Sequence, residues 1–293
     1  TKYFSLNGYL KNSHNIKYID ADLAAGTDNT RVQLRSVTSG RSQTNFNNHR
    51  ASSTATSSQT LSGDNLLDAA GQLTTSITLN GVTTKTHQMF AGHIMRFDSS
   101  GISSAVSSAT LKVRGGYNQQ NYGASDVSVI LLKTDGDMDG TTEAFGATSN
   151  YMDIEGFTSG WDANDVTEYS GEVVITQAVN TAGTDASAVI NDFTLNSDAR
   201  TDLQNDNFFN VMPMEYDEIY LDNFNTSLGD VTKRTFRING PNATTTAFRY
   251  FIEFETGAAA SGFGHKVVGV AAASISKVKS VATANIGKVN SVD

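Results

Sequence analysis

Cysteine is absent from this chain of 293 residues, which removes disulfides, thiolate metal ligands and cysteine nucleophiles together. Stability must come instead from packing, bound cations or association with other chains. Proline is almost absent too, at Pro213 and Pro241 alone, and tryptophan occurs once, at Trp161. Only 17% of residues are charged, and Ser, Thr, Asn and Gly carry most of the polarity. No apolar run reaches the length of a membrane span, and the first ten residues contain none of signal-peptide length. The net charge of −9 opposes attraction to phosphates, so nucleic acid is not an expected partner, nor is membrane insertion expected. His14, His49, His87, His93 and His265 are scattered, with no helical zinc pair, Gly-x-Ser-x-Gly elbow or phosphate-cradling loop. The expected class is therefore not an enzyme.

What is present is turn-rich and β-forming. Residues 75–79 and 82–86 flank Asn80-Gly81, a pair suited to the positive φ angles of a type I′ turn, and predict a hairpin. Further strands are expected at residues 31–35, 93–97, 108–113, 127–133, 172–176, 208–212, 235–238 and 248–254, many alternating apolar with polar side chains. One helix is expected at residues 197–204, with Ser197 as its cap. The predicted fold is all-β: an antiparallel jelly-roll sandwich over residues 71–257. An extended N-terminal arm (1–35) and a Ser/Thr/Asn-rich extended linker (36–70) precede it, and a repeat segment (258–293) follows. The stretch from Ser36 to Gly63 reads either as a flexible linker or as an extended segment ordered only within an assembly.

The C-terminal segment repeats with a period of eleven residues. Lys266, Lys277 and Lys288 align, as do Val267, Val278 and Val289, then Val270, Val281 and Val292, and Ile275 with Ile286. Eleven residues in three turns keep Val278, Val281, Ala282 and Ile286 on one helical stripe, which favours a helix. The alternation of Ala282, Ala284 and Ile286 and the β-branched valines leave a strand open. Either form is too short for a core of its own and needs a partner surface, so these residues are candidate assembly contacts of a homo-oligomer.

Three groups are candidate binding residues. Asp135, Asp137 and Asp139 alternate before Gly140, with Thr141 and Glu143 to follow, as in the first half of a calcium loop. Gly146 stands where the closing bidentate acid belongs, so the choice is between a weak Ca2+ site and a solvated acidic turn. Tyr216 and Tyr220 beside Asp217 and Asp222 can stack on and hydrogen-bond a sugar, or pack at a sandwich corner. Trp161 is either a stacking platform or a loop plug. Asp153, Glu155, Asp162, Asp165 and Glu168 supply carboxylates for a glycosidase, but nothing in the sequence fixes the separation such a pair requires.

Residues 94–98 (IMRFD) and 106–113 (VSSATLKV), then 127–132 and Ser159-Gly160-Trp161-Asp162, resemble a DNRLRE-type jelly roll, akin to TGF-β-propeptide-like and carbohydrate-binding sandwiches. Residues 190–197, 215–220 and 248–254 are similar in order to a variant in phage and environmental-virus structural proteins, and the KVxxVAxAxI tail resembles repeats ending such proteins. The likeness spans roughly two-thirds of the chain through short motifs. It implies a bacteriophage virion component, a tail fibre, neck appendage or capsid decoration, that assembles with itself and other virion proteins and contacts a host-surface glycan. The alternatives are a secreted carbohydrate-binding module or adhesin and, third, a polysaccharide depolymerase. The resemblance carries no catalytic residues.

Overall fold

A computed structural model describes residues 16–21, 31–50, 57–60, 64–90, 93–120, 126–134, 166–179, 186–226, 233–257, 277–278 and 281–282. It is all-β, with two antiparallel sheets in a sandwich-like, jelly-roll-like arrangement. The larger sheet has nine strands: β1 (Ile16–Asp20), β2 (Arg31–Val37), β3 (Ser57–Thr60), β4 (Leu66–Leu79), β5 (Val82–Phe90), β7 (Val106–Gln120), β10 (Val189–Thr194), β12 (Lys233–Asn239) and β13 (Phe251–Thr256). The smaller runs β6 (Met95–Asp98), β11 (Phe208–Glu215), β8 (Val127–Lys133), β9 (Val173–Ile175). Among the described residues no helix is long and apolar enough to cross a membrane.

Strand β7 organises the large sheet. Lys112 pairs with Asp192 of β10 on one side and Phe251 of β13 on the other, whereas Gly115 pairs with Val189 of β10 and Ile238 of β12. Strands β12 and β13 therefore lie end to end along the same side of β7, and residues 240–250 loop out between them. Gly115 permits this tight junction: a Cβ there would stand 2.2 Å from the Arg237 carbonyl oxygen.

The core lies between the sheets. Leu111 and Val113 of β7, Phe193 of β10, Phe236 and Ile238 of β12 and Ile252 and Phe254 of β13 meet Met95 and Phe97 of β6, Val127, Val129 and Leu131 of β8 and Phe209 and Val211 of β11. Strand β8 also buries its other face. Ile130 and Leu132 pack with Met212, Met214, Met89 of β5, and Phe46 from helix α1 (Gln43–Arg50). That explains why residues 127–133 read as a continuous apolar run rather than an alternation.

The N-terminal residues differ from expectation. Strand β1, within the predicted arm, pairs with β13, Ile16 opposite Glu255 and Asp20 opposite Phe251. Within the predicted extended linker, residues 43–50 are helical and bury Phe46 and His49 completely. One aromatic ring on a short polar helix suffices to anchor it, because a buried Phe contributes about 3–5 kcal/mol against truncation. The second helix, α2 (Ser197–Asn205), forms where predicted, but its cap is Asn196, not Ser197: Asn196 is extended, and its Oδ1 accepts from the Ala199 amide at 3.0 Å.

The preference for a helical tail is corrected at the four described residues of the repeat. Strand β14 (Lys277–Val278) pairs antiparallel with β15 (Val281–Ala282), Val278 opposite Val281. Two β-branched residues form a cross-strand pair more readily than a helical stripe, and two residues between strands are the usual hairpin connection.

The predicted β4–β5 hairpin is present, with Asn80 at φ 50° and Gly81 at φ 78°. Gly71, at φ 112°, follows a register shift against β12, and a Cβ there would meet the Arg234 carbonyl oxygen at 2.2 Å. Gly81 has nothing within 4 Å. Gly71→Ala should therefore lower stability by about 3 kcal/mol or more, combining clash with left-handed strain. Gly81→Ala should cost only about 1 kcal/mol, from strain alone. Denaturant midpoints of the two variants check the difference.

Candidate functional site

The densest cluster of charged groups surrounds the end of β11. Glu215 closes that strand, and its carboxylate turns into the next five residues, where it accepts the amides of Asp217 at 3.1 Å and of Glu218 and Ile219 at 2.9 Å each. Three amide donors on one carboxylate wind Tyr216–Tyr220 into a single wide helical turn, closed by the Leu221 amide on the Tyr216 carbonyl at 3.0 Å. Arg234 of β12 donates through Nε to Glu215 at 2.9 Å and through Nη2 to Asp217. Burial pushes the Glu215 carboxyl upward, and Arg234 and the amides oppose that shift.

Glu218 is buried one step further along the turn. It takes Nη2 of Arg41 on both oxygens, at 2.7 and 2.8 Å, together with the Gln72 amide and the Asn225 backbone N–H at 2.8 Å. Arg41 also donates to the Asn225 carbonyl at 2.5 Å and lies 3.9 Å over the Phe224 ring. The other end of Gln72 meets Nε2 of His87 at 3.2 Å, and His87 stands edge-on to His49 with ring centroids 4.9 Å apart. Burial, then the neighbouring His49 and Arg41, lower the His87 imidazole to about 3, so it is neutral in the fold. Arg41 and His49 come from the α1 region, Gln72 from β4, His87 from β5, and the two acids from the turn. Chemically the arrangement is a clamp, which fastens residues 41–50 onto the sandwich through groups withdrawn from water.

The turn gathers four of the predicted sugar-contact residues. The Tyr216 and Tyr220 rings stack at 5.4 Å and 14°. Tyr220 is buried and donates its hydroxyl to Glu168; burial and that carboxylate raise its phenol well above the ordinary range. Tyr216 is half-buried, with Tyr220 on one side. Asp217 is engaged by Arg234, whereas Asp222 is exposed at φ 56°. Trp161 and the calcium-loop residues Asp135, Asp137, Asp139, Thr141 and Glu143 lie outside the described residues, as do Val267, Val270, Ile275, Ile286, Val289 and Val292. Among the described residues no three His, Asp or Glu side chains form a group suited to a metal ion.

Sequence reasoning missed Arg41, His49, Gln72, His87, Glu218 and Arg234. A signal existed in the polar stretch: Phe46 and His49, three residues apart on one helical face, are an uncommon pair among Ser, Thr and Asn. The chain matches no protein-family model and no curated protein.

Removing Arg41 leaves Glu218 buried without its cation, so Arg41→Ala should cost about 3–5 kcal/mol and speed hydrogen exchange across α1. Between pH 6.5 and about 3 the unfolded chain binds a proton at His87 that the fold refuses. Stability is thus fully present above pH 6.5 and lost as pH falls, by about 1.4 kcal/mol per unit from this group. Denaturation across that range should show the slope, and His87→Gln should remove it.

Proposed function

We propose that this chain is a bacteriophage virion structural protein, acting by assembly with itself and with other virion proteins and presenting its sandwich on the particle surface. The observation that carries the reading is the eleven-residue repeat, whose described residues pair as strands. A threefold repeat of small and β-branched residues buries its apolar side only against another surface, which makes it an attachment element. The jelly-roll-like sandwich supports the same reading, as does the clamp, which spends its carboxylates on holding the chain together. Host-surface glycan contact belongs to this proposal through the half-buried Tyr216 ring and the exposed Asp222.

A chain ending before His265 should keep the sandwich's melting transition while losing oligomer mass and particle incorporation. Unchanged mass and normal incorporation would overturn the assembly reading. Tyr216→Ala should weaken binding to polysaccharide of the host surface several-fold, as read by calorimetry, with little change in stability.

A further inference from the structure

Large apolar side chains that stand exposed among the described residues concentrate at two places. Leu79 and Val82, 70% and 68% exposed, face each other across the Asn80-Gly81 turn at the tip of the β4–β5 hairpin. Val189 and Ile190, 43% and 47% exposed, open strand β10, and Val174, 48% exposed, lies on β9, which contacts β10 at the edge of the sandwich.

The hairpin outruns its sheet. Strand β12 pairs with β4 only as far as Leu73, and β2 pairs with β5 only from His87 onward, so residues 75–79 and 82–86 have no strand partner but each other. Five residue pairs at about 3.4 Å per residue make a free ribbon of about 17 Å. A lone two-stranded ribbon is marginal in water, and this one ends in its largest apolar groups. It also contains no acidic residue, and Lys85 is its single charged side chain, in a chain of net charge −9. The β9–β10 edge carries Glu172 and Asp192 beside its valines and isoleucine, so the two places complement each other in charge as well as apolar character.

They cannot meet within one molecule. Strands β10 and β5 stand on opposite sides of the large sheet with β7, β12 and β4 between them, four spacings or about 19 Å apart. The ribbon, moreover, continues along the strand direction rather than back across the sheet. We propose that the β4–β5 ribbon of one copy docks on the β9–β10 edge of a second copy of this chain, a head-to-tail contact that closes into a ring or runs on as a filament. This deepens the assembly reading but is independent of the C-terminal repeat.

Because the chain has no cysteine, single thiols report the contact cleanly. Full-length Val82→Cys and Ile190→Cys proteins, mixed under a mild oxidant, should give a mixed disulfide dimer in several-fold excess over the like-with-like dimers. The exposed control Leu221→Cys, mixed with Val82→Cys, should not. Leu79→Asp with Val82→Asp should lower the concentration-dependent sedimenting mass while leaving the melting transition in place. Like-with-like or control dimers equal to the mixed dimer, or an aspartate variant that associates as the parent does, would overturn the contact. If those results coincide with loss of association on removing residues 265–293, the ribbon contact fails while the assembly reading stands. If that truncation is also without effect, both fail.

Discussion

Two guanidinium groups and two carboxylates, shut away from water at the end of β11, determine how the two ends of this chain meet. Withdrawing charges from water costs several kcal/mol for each ion, which only close partners in good geometry offset. Glu218 finds them at one position alone, where Arg41, Gln72 and the Asn225 amide converge. Glu215 does likewise with Arg234 and three amides of its own turn. An apolar plug of the same volume would hold the pieces as firmly, but it would tolerate a shift in register that charge pairing forbids. The cluster is thus better understood as a key that sets position than as a source of strength. Its position also fixes Tyr216 and Tyr220, because the amides that Glu215 accepts are those that wind the turn carrying both rings.

The large sheet is asymmetric for a comparable reason. Strand β7 is long enough to serve β13 and then β12 along one side, with β10 alone along the other. One flank of the sheet therefore ends quickly, at a short strand with exposed valine and isoleucine, while the other extends through β4 and β5 into the hairpin. A molecule with unlike flanks cannot satisfy both by twofold self-pairing of either one. That property suits proteins built into extended or ring-shaped particles.

The parts of the fold that could be read in advance are those in which local chemistry decides the outcome. Asn80-Gly81 requires positive φ whatever surrounds it, and the alternation of residues 235–238 survives because one face of β12 is core. Residues 43–50 were illegible because their helix depends on Phe46, Arg41 and His49 finding partners far along the chain, at Phe224, Glu218 and His87. Helix propensity in QTNFNNHR is poor, and tertiary contact overrides it. The tail misled in the opposite direction: an eleven-residue period fits three helical turns, but β-branched valines at the pairing positions prefer strands. At the candidate site, the acidic and aromatic run 215–222 was visible as a cluster. Which acids point inward was not, since that depends on arginines supplied by other strands.

Strand β1 draws its partner from the far end of the described chain: residues 16–20 wait for Phe251–Glu255. At about 5–20 residues per second, the interval between synthesis of the two is on the order of tens of seconds. Throughout it, β13 does not exist, β4 lacks β12, and Arg41 has no Glu218 to face. The nascent chain therefore cannot complete its large sheet from the N-terminus onward, and the last strands made are the ones that close it. A ribosome stalled anywhere before residue 233 would hold a chain with open strand edges and an uncompensated arginine, a natural client for chaperones and a natural seed for aggregation.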